Sequence, residues 1–160
     1  MNLLGGSLHV VTGIYPDSTL WNTGSPNYSP AVNMGLYGHA LFIVHQGVGA
    51  AGSATITMEA CTTAAGASPT AIAFRYKLCT TSDTWGALTS VAATGVVFGV
   101  ASNQMLAIEV DAEDLIAAQP TKPYLRLKAT VSDATAVDAG CIIILGDPAY
   151  SQIVPVTAIT

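Results

Sequence analysis

Three stretches of this 160-residue chain alternate strictly between apolar and polar side chains. A period of two restricts them to half-buried strands of an antiparallel sheet, because a helix returns to the same face only about every 3.6 residues. From Ser53 to Ala60, the side chains of Ala54, Ile56, Met58 and Ala60 fall on one face and those of Thr55, Thr57 and Glu59 on the other. From Phe74 to Cys79 the inward set is Phe74, Tyr76 and Leu78, and from Tyr124 to Val131 it is Leu125, Leu127, Ala129 and Val131. Ala40 to His45 and Cys141 to Leu145 are apolar on both faces. They read as central strands, covered on one side by the core and on the other by the N-terminal arm or a partner. Val96 to Gly99 and Met105 to Val110 supply two more strands, and Trp85 to Val91 a short one. The core is expected to hold Ile56, Met58, Phe74, Tyr76, Leu78, Ile108, Leu125, Leu127 and Val131.

Loops of small and turn-forming residues separate these runs, at Gly47–Gly52, Ala64–Pro69, Ser82–Asp83, Ala92–Gly95 and Ser132–Gly140. Seven or eight short strands punctuated in this way indicate an all-β fold, an antiparallel β-sandwich of jelly-roll-like type. A single short helix fits Asp111 to Gln119, with Asp111 as N-cap, acids in the first turn and Pro120 as the stop. Residues 1–37 differ from the rest. Gly5, Gly6, Pro16, Pro26 and Pro30 punctuate them, so they read as an irregular Pro/Gly-rich arm with at most one short strand, Leu8 to Ile14. Residues 38–160 form the sandwich domain. The arm carries Tyr15, Trp21 and Tyr28, large aromatics that need a surface to cover them.

Composition excludes several function classes. Five Lys+Arg against ten Asp+Glu give a formal net charge of −5, opposite in sign to what nucleic acid or an anionic membrane surface attracts. Charged residues are 9% of the chain and hydrophobic ones 51%, whereas a typical soluble domain is about 25% charged. A surface so poor in charge argues for burial against other subunits, hence a homo-oligomer or larger assembly. The first residues, MNLLGGSLHVV, lack a basic stretch and a long apolar run, so no signal peptide is expected, and no apolar run reaches membrane-spanning length. The three cysteines, Cys61, Cys79 and Cys141, are odd in number and show no CxxC spacing. They are expected to be unbridged and to act as small apolar residues.

No constellation for catalysis or cofactor binding stands out. His39 and His45 share a face of one strand but lie about 20 Å apart, too far to share a metal ion. Asp111, Glu113 and Asp114 match no calcium loop and suit helix capping better. Asp133 and Asp138 share a loop without a partner that would force convergence. Gly47-Val-Gly49 leads into another strand rather than a helix, so it reads as a hairpin loop and not a dinucleotide site. No serine stands in a nucleophile elbow. The chain is therefore expected not to be an enzyme, and to use no metal, cofactor or small-molecule substrate. The basic residues are more informative. Arg75 with Lys77, and Arg126 with Lys128, form two i, i+2 pairs on the polar faces of their strands. They can meet Glu59 and Glu109 across strands, or steer the chain onto an acidic partner. Candidate interface residues are Tyr15, Trp21, Tyr28, Arg75, Lys77, Arg126 and Lys128.

The C-terminal third carries a more specific pattern. Lys122, Tyr124 and Arg126 form a K-x-Y-x-R strand. After an Ala/Asp/Gly loop, an apolar strand ends in Leu145-Gly-Asp-Pro148, an L-G-x-P, and Trp85-Gly-Ala-Leu88 forms an upstream W-x-x-L. This ending resembles that of the small β-sandwich proteins encoded beside the major capsid gene of tailed bacteriophages. The resemblance spans roughly Gly38 to Tyr150, and the arm is matched least. It implies a head decoration, or cement, protein, which binds the major capsid protein lattice on the outside of an icosahedral shell, often as a homotrimer, and stiffens it. The expected location is then the virion exterior, after synthesis in the host cytoplasm. The alternative is a carbohydrate- or receptor-binding sandwich of a tail fibre or spike, which needs exposed aromatics along a groove. Trp21, Tyr28, Tyr37 and Trp85 are available for that role.

Overall fold

A computed structural model describes residues 8–17, 26–47, 52–81, 83–99, 102–131, 138–149 and 157–159. Its strands are β1 (His9–Asp17), β2 (Asn27–Tyr28), β3 (Val32–Asn33), β4 (Tyr37–Gln46), β5 (Ala54–Cys61), β6 (Thr70–Ile72), β7 (Phe74–Thr81), β8 (Thr84–Trp85), β9 (Thr89–Val91), β10 (Val96–Phe98), β11 (Met105–Asp111), β12 (Tyr124–Val131) and β13 (Ala139–Pro148), with one helix, α1 (Ala112–Ala118), between β11 and β12. They form two antiparallel sheets packed face to face. The seven-stranded sheet runs β1-β13-β4-β11-β7-β8, with β9 also on β7. The six-stranded sheet runs β10-β5-β12-β2, with β3 on β12 and β6 on β5. The chain is an all-β sandwich, as its alternation predicts.

The pattern works because each strand offers one apolar row to the space between the sheets. Ile56, Met58, Ile108, Leu125 and Leu127 are fully buried there, with Phe74 beside them, while Tyr76, Leu78 and Val131 pack against this core from its margin. β12 lies on β5 with Leu127 opposite Met58 and Ala129 opposite Ile56. The two strands that are apolar on both faces, β4 and β13, are neighbours at the centre of the larger sheet, with Phe42 opposite Ile143 and Ala40 opposite Leu145. Burying these residues supplies the main driving force for the fold, about 1.5–3 kcal/mol for each large apolar side chain.

The stretch read as an irregular arm holds more strand than expected. β1 continues past Ile14 to Asp17 and pairs with β13 through two register shifts, between Thr12 and Ile14 and between Ile14 and Asp17. Pro16 is tolerated because β1 is an outer strand, where a missing N–H breaks no ladder on the open side. β2 and β3 add to the same edge of β12. Pro30, which has no N–H to give, separates them. Ser29 fills the gap, donating its N–H to the Leu127 carbonyl at 3.0 Å and accepting the Leu127 N–H on its hydroxyl at 3.0 Å. Trp21 lies outside the described residues. Two further differences are local. The stretch Trp85 to Val91 is two short strands, β8 and β9, and β13 begins at Ala139 rather than Cys141. The helix stands where its capping signals put it, but Asp111 makes no side-chain cap bond.

Candidate functional site

The two sheets turn very different outer faces to their surroundings. On the six-stranded sheet the outward rows are Thr55, Thr57 and Glu59 of β5 and Arg126, Lys128 and Thr130 of β12. Arg126 stands opposite Glu59 and donates to Glu59 Oε2 from Nε at 2.9 Å and from Nη2 at 2.7 Å. Lys128 Nζ reaches Glu59 Oε1 at 3.3 Å. The Tyr28 ring lies against the guanidinium, 4.1 Å from centroid to Cζ. The loop after β5 closes over it at Gly66, whose positive φ of 76° and lack of a Cβ allow the Arg126 guanidinium to pass. The Glu59 and Arg126 side chains keep 8% and 12% of their exposure, so this is a buried ion cluster on a sheet's outer side. Burial also raises the Cys61 thiol above its ordinary range, and the nearby Arg126 charge offsets part of that rise.

On the seven-stranded sheet the outward rows cross β1, β13, β4, β11 and β7 in register. One row reads Val10, Ile144, Leu41, Glu109 and Arg75, and the next Thr12, Ile142, Ile43, Ala107 and Lys77. Ion pairs on this face gather at the β11–β7 side. There Arg75 Nη2 lies 2.8 Å from Asp111 Oδ2 and 3.7 Å from Asp114, and His39 Nδ1 lies 2.7 Å from Asp111 Oδ1. These two contacts account for the missing cap bond, because the Asp111 carboxylate is directed at strands instead of at its own helix. The remaining face is aliphatic. Val10 is 65% exposed and Ile142 51%, with Leu41, Ile43 and Ile144 half-buried between them.

This face carries a cleft of about 720 Å³ at the end where β1 is shifted against β13. Its lining includes the apolar residues Ile14, Pro16, Ile43 and Ile142 and the polar residues Thr12, Tyr15, His45 and Asp138. Gly140 sits opposite His45 and beneath β1, where a Cβ would come within 3.1 Å of the Pro16 nitrogen and 3.2 Å of the Ile14 carbonyl oxygen. A side chain here would crowd the β1 backbone that borders the cleft. The Asp138 carbonyl accepts the Gly47 N–H at 2.8 Å, which leaves its carboxylate for other contacts. Tyr15 is 70% exposed. Cys141 also borders the cleft, but its side chain is buried in the core and burial pushes the thiol pKa up to about 12, so it stays protonated and a poor nucleophile at neutral pH.

The candidate interface residues therefore divide. Tyr28, Arg126 and Lys128 form one internal cluster, Arg75 is held by Asp111 and Asp114, and Tyr15 stands at the cleft. Lys77 carries no ion pair among the described residues. The expected cross-strand pairing is seen for Glu59, whereas Arg75 selects Asp111 instead of its register neighbour Glu109. In the sequence Asp138 stands only as a loop carboxylate with nothing to force convergence, and Ile142 is not singled out. The signal for Ile142 was present in the two-sided apolarity of Cys141 to Leu145. Nothing placed Asp138 at a cleft, because its position there depends on pairing between strands remote in the chain. The three cysteines are buried and unbridged. Among the described residues no group of three or more His, Cys, Asp or Glu side chains is placed to hold a metal ion. Comparison with protein-family models, curated proteins and solved structures returns no match.

Proposed function

We propose that the protein is a structural, non-enzymatic component of a phage head. In this reading it lays the outer face of its seven-stranded sheet on the major capsid protein lattice and stabilises the shell from outside. The supporting observation is the aliphatic strip of Val10, Leu41, Ile43, Ile142 and Ile144, which crosses three strands of a chain with only 9% charged residues. Contiguous apolar surface of this kind on a small soluble protein usually marks an interaction site. The K-x-Y-x-R and L-G-x-P strands supply the choice of partner by resemblance. A protein that binds only the mature lattice stabilises it by its differential affinity, and repetition over the shell multiplies a weak contact.

The test is co-sedimentation of the purified protein with expanded shells of the phage head from the same genome, with occupancy scored by cryo-electron microscopy. Saturable, symmetric occupancy is expected. Val10→Asp and Ile142→Asp, both at exposed positions, should keep the fold and abolish attachment. Absence of binding, or binding indifferent to both substitutions, overturns the reading. Analytical ultracentrifugation of the free protein decides whether it arrives as the trimer that the resemblance implies.

A further inference from the structure

We propose that the cleft between β1 and β4 is a receptor for an arginine side chain presented by the protein on which this face docks. The proposal deepens the docking reading above and takes the partner from it. The first argument is charge. Arg75, Arg126 and Lys128 are held by Asp111, Asp114 and Glu59, and Lys122 is hydrogen-bonded to Thr70. Among the described residues five acids, Asp83, Glu109, Glu113, Asp138 and Asp147, carry no ion pair, against two cations, Lys77 and Lys122. The surface left for a partner is therefore acidic, and the complementary group is a cation. The sign is opposite to that of a docking surface built from this chain's own lysines and arginines.

The second argument is a precedent within the molecule. Arg126 is held by two elements: a tyrosine ring against its guanidinium and a carboxylate at its tip. The cleft is lined by the same two kinds of residue, Tyr15 and Asp138, and adds the aliphatic walls of Ile14, Pro16, Ile43 and Ile142. A guanidinium combines flat stacking with two-point hydrogen bonding to a carboxylate, and its methylene stem lies well on apolar surface. A neutral sugar suits these walls less, since hydroxyls set against isoleucine lose their hydrogen bonds. The occupant is assigned to a different protein, because the chain has only two arginines, Arg75 and Arg126, and both are ion-paired within their own chain.

The experiment uses the whole isolated protein, labelled for two-dimensional NMR, and three probes: N-acetyl-Gly-Arg-Gly-amide, the same peptide with norleucine in place of arginine, and maltopentaose. The arginine peptide should shift resonances of Tyr15, His45 and residues 138–142, and should bind at least about tenfold more tightly than the norleucine peptide. Asp138→Asn should remove most of that preference while keeping the fold, because the structural bond at this position is made by the backbone carbonyl. Tyr15→Leu should weaken binding about threefold. Equal binding of the two peptides, shifts elsewhere on the molecule, or binding of the sugar alone overturns the proposal. The same Asp138→Asn protein is then tested on shells. If the unsubstituted protein attaches to shells but never prefers the arginine peptide, the inference fails and the docking reading stands. If it prefers the arginine peptide but never attaches to shells, the docking reading fails and the cleft keeps its assignment.

Discussion

The two sheets are built by the same alternation, yet their outer faces differ in chemistry. β5 and β12 place Glu59, Arg126 and Lys128 outward, and these charges meet one another beneath Tyr28 and the Gly66 loop. β1, β13 and β4 place Val10, Ile142, Ile144, Leu41 and Ile43 outward, and among the described residues no third layer packs on the two exposed members of the strip. A chain with this little charge would be expected to use it for solubility. Here Glu59, Arg126 and Lys128 are gathered beneath Tyr28 of the arm segment and the Gly66 loop on the smaller sheet, while the larger sheet keeps an aliphatic face. Charge on the smaller sheet is paired and mostly buried, whereas the larger sheet leaves an aliphatic strip open beside carboxylates without an ion pair.

The sharpest way to break this contrast is at Glu59. Glu59→Gln leaves Arg126 and Lys128 without their counter-charge in a mostly buried setting, a change that typically costs about 3–5 kcal/mol. Urea denaturation of the variant should show a loss in that range, and a loss below about 1 kcal/mol would place the cluster with ordinary surface pairs. Arg126→Met combined with Glu59→Gln should recover part of the deficit, because removing both charges removes the desolvation penalty with them.

A second expectation concerns alkaline pH and the wall of the cleft. The Cys141 thiol is shifted from 9.0 to about 12 by burial. Below pH 9 it is protonated in both folded and unfolded chains and stability does not depend on it. Between about 9 and about 12 the unfolded thiol ionises while the folded one stays neutral, so stability falls as pH rises. Three pH units correspond to a loss on the order of 4 kcal/mol at the upper end. Burial also raises Tyr37 and Cys61, which adds to the decline in the same direction. Denaturation midpoints of the native protein and of Cys141→Ala, measured from pH 8 to 11, should converge as pH rises. Parallel curves would show that the thiol is accessible.

Much of this architecture was legible in the sequence, for a physical reason. Strand faces are a local property of period two, so the inward positions Ile56, Met58, Leu125 and Leu127 followed from spacing alone and are buried as expected. Pairing is not local. Nothing around Asp111 indicates that its carboxylate serves His39 and Arg75, 72 and 36 residues away, rather than the helix it begins. The arm was under-read because β2 and β3 are two residues long and hold their place through β12 and Ser29, with no alternation of their own. The cleft was illegible for the same reason, since Thr12, Ile43 and Asp138 meet only through the ladders of β1, β13 and β4.

The cluster around Asp111 tests whether every ion pair behaves like that of Glu59. Its side chains are 41–42% exposed at the Arg75 contact, so water screens the attraction and surface pairs of this kind contribute about 0–1 kcal/mol. Asp111→Asn should cost no more than about 1 kcal/mol in the same urea experiment. A cost near that of Glu59→Gln would mean that the α1 end of the sandwich is closed off from water.

The smallest effect on stability is expected on the aliphatic face itself, and it separates a docking surface from a core that happens to be open. Val10 and Ile142 contribute little packing within the chain, because their outward sides meet no other layer. Val10→Thr with Ile142→Thr retains β-branched side chains suited to strands while removing apolar surface. Denaturation should therefore shift by no more than about 0.5 kcal/mol. The same double variant should be more soluble at high concentration and bind less of a dye that reports exposed apolar surface. A loss of 2 kcal/mol or more would mean that these residues are covered in the folded protein in solution. The strip would then be part of the chain's own core, and the contrast between the two sheets would disappear.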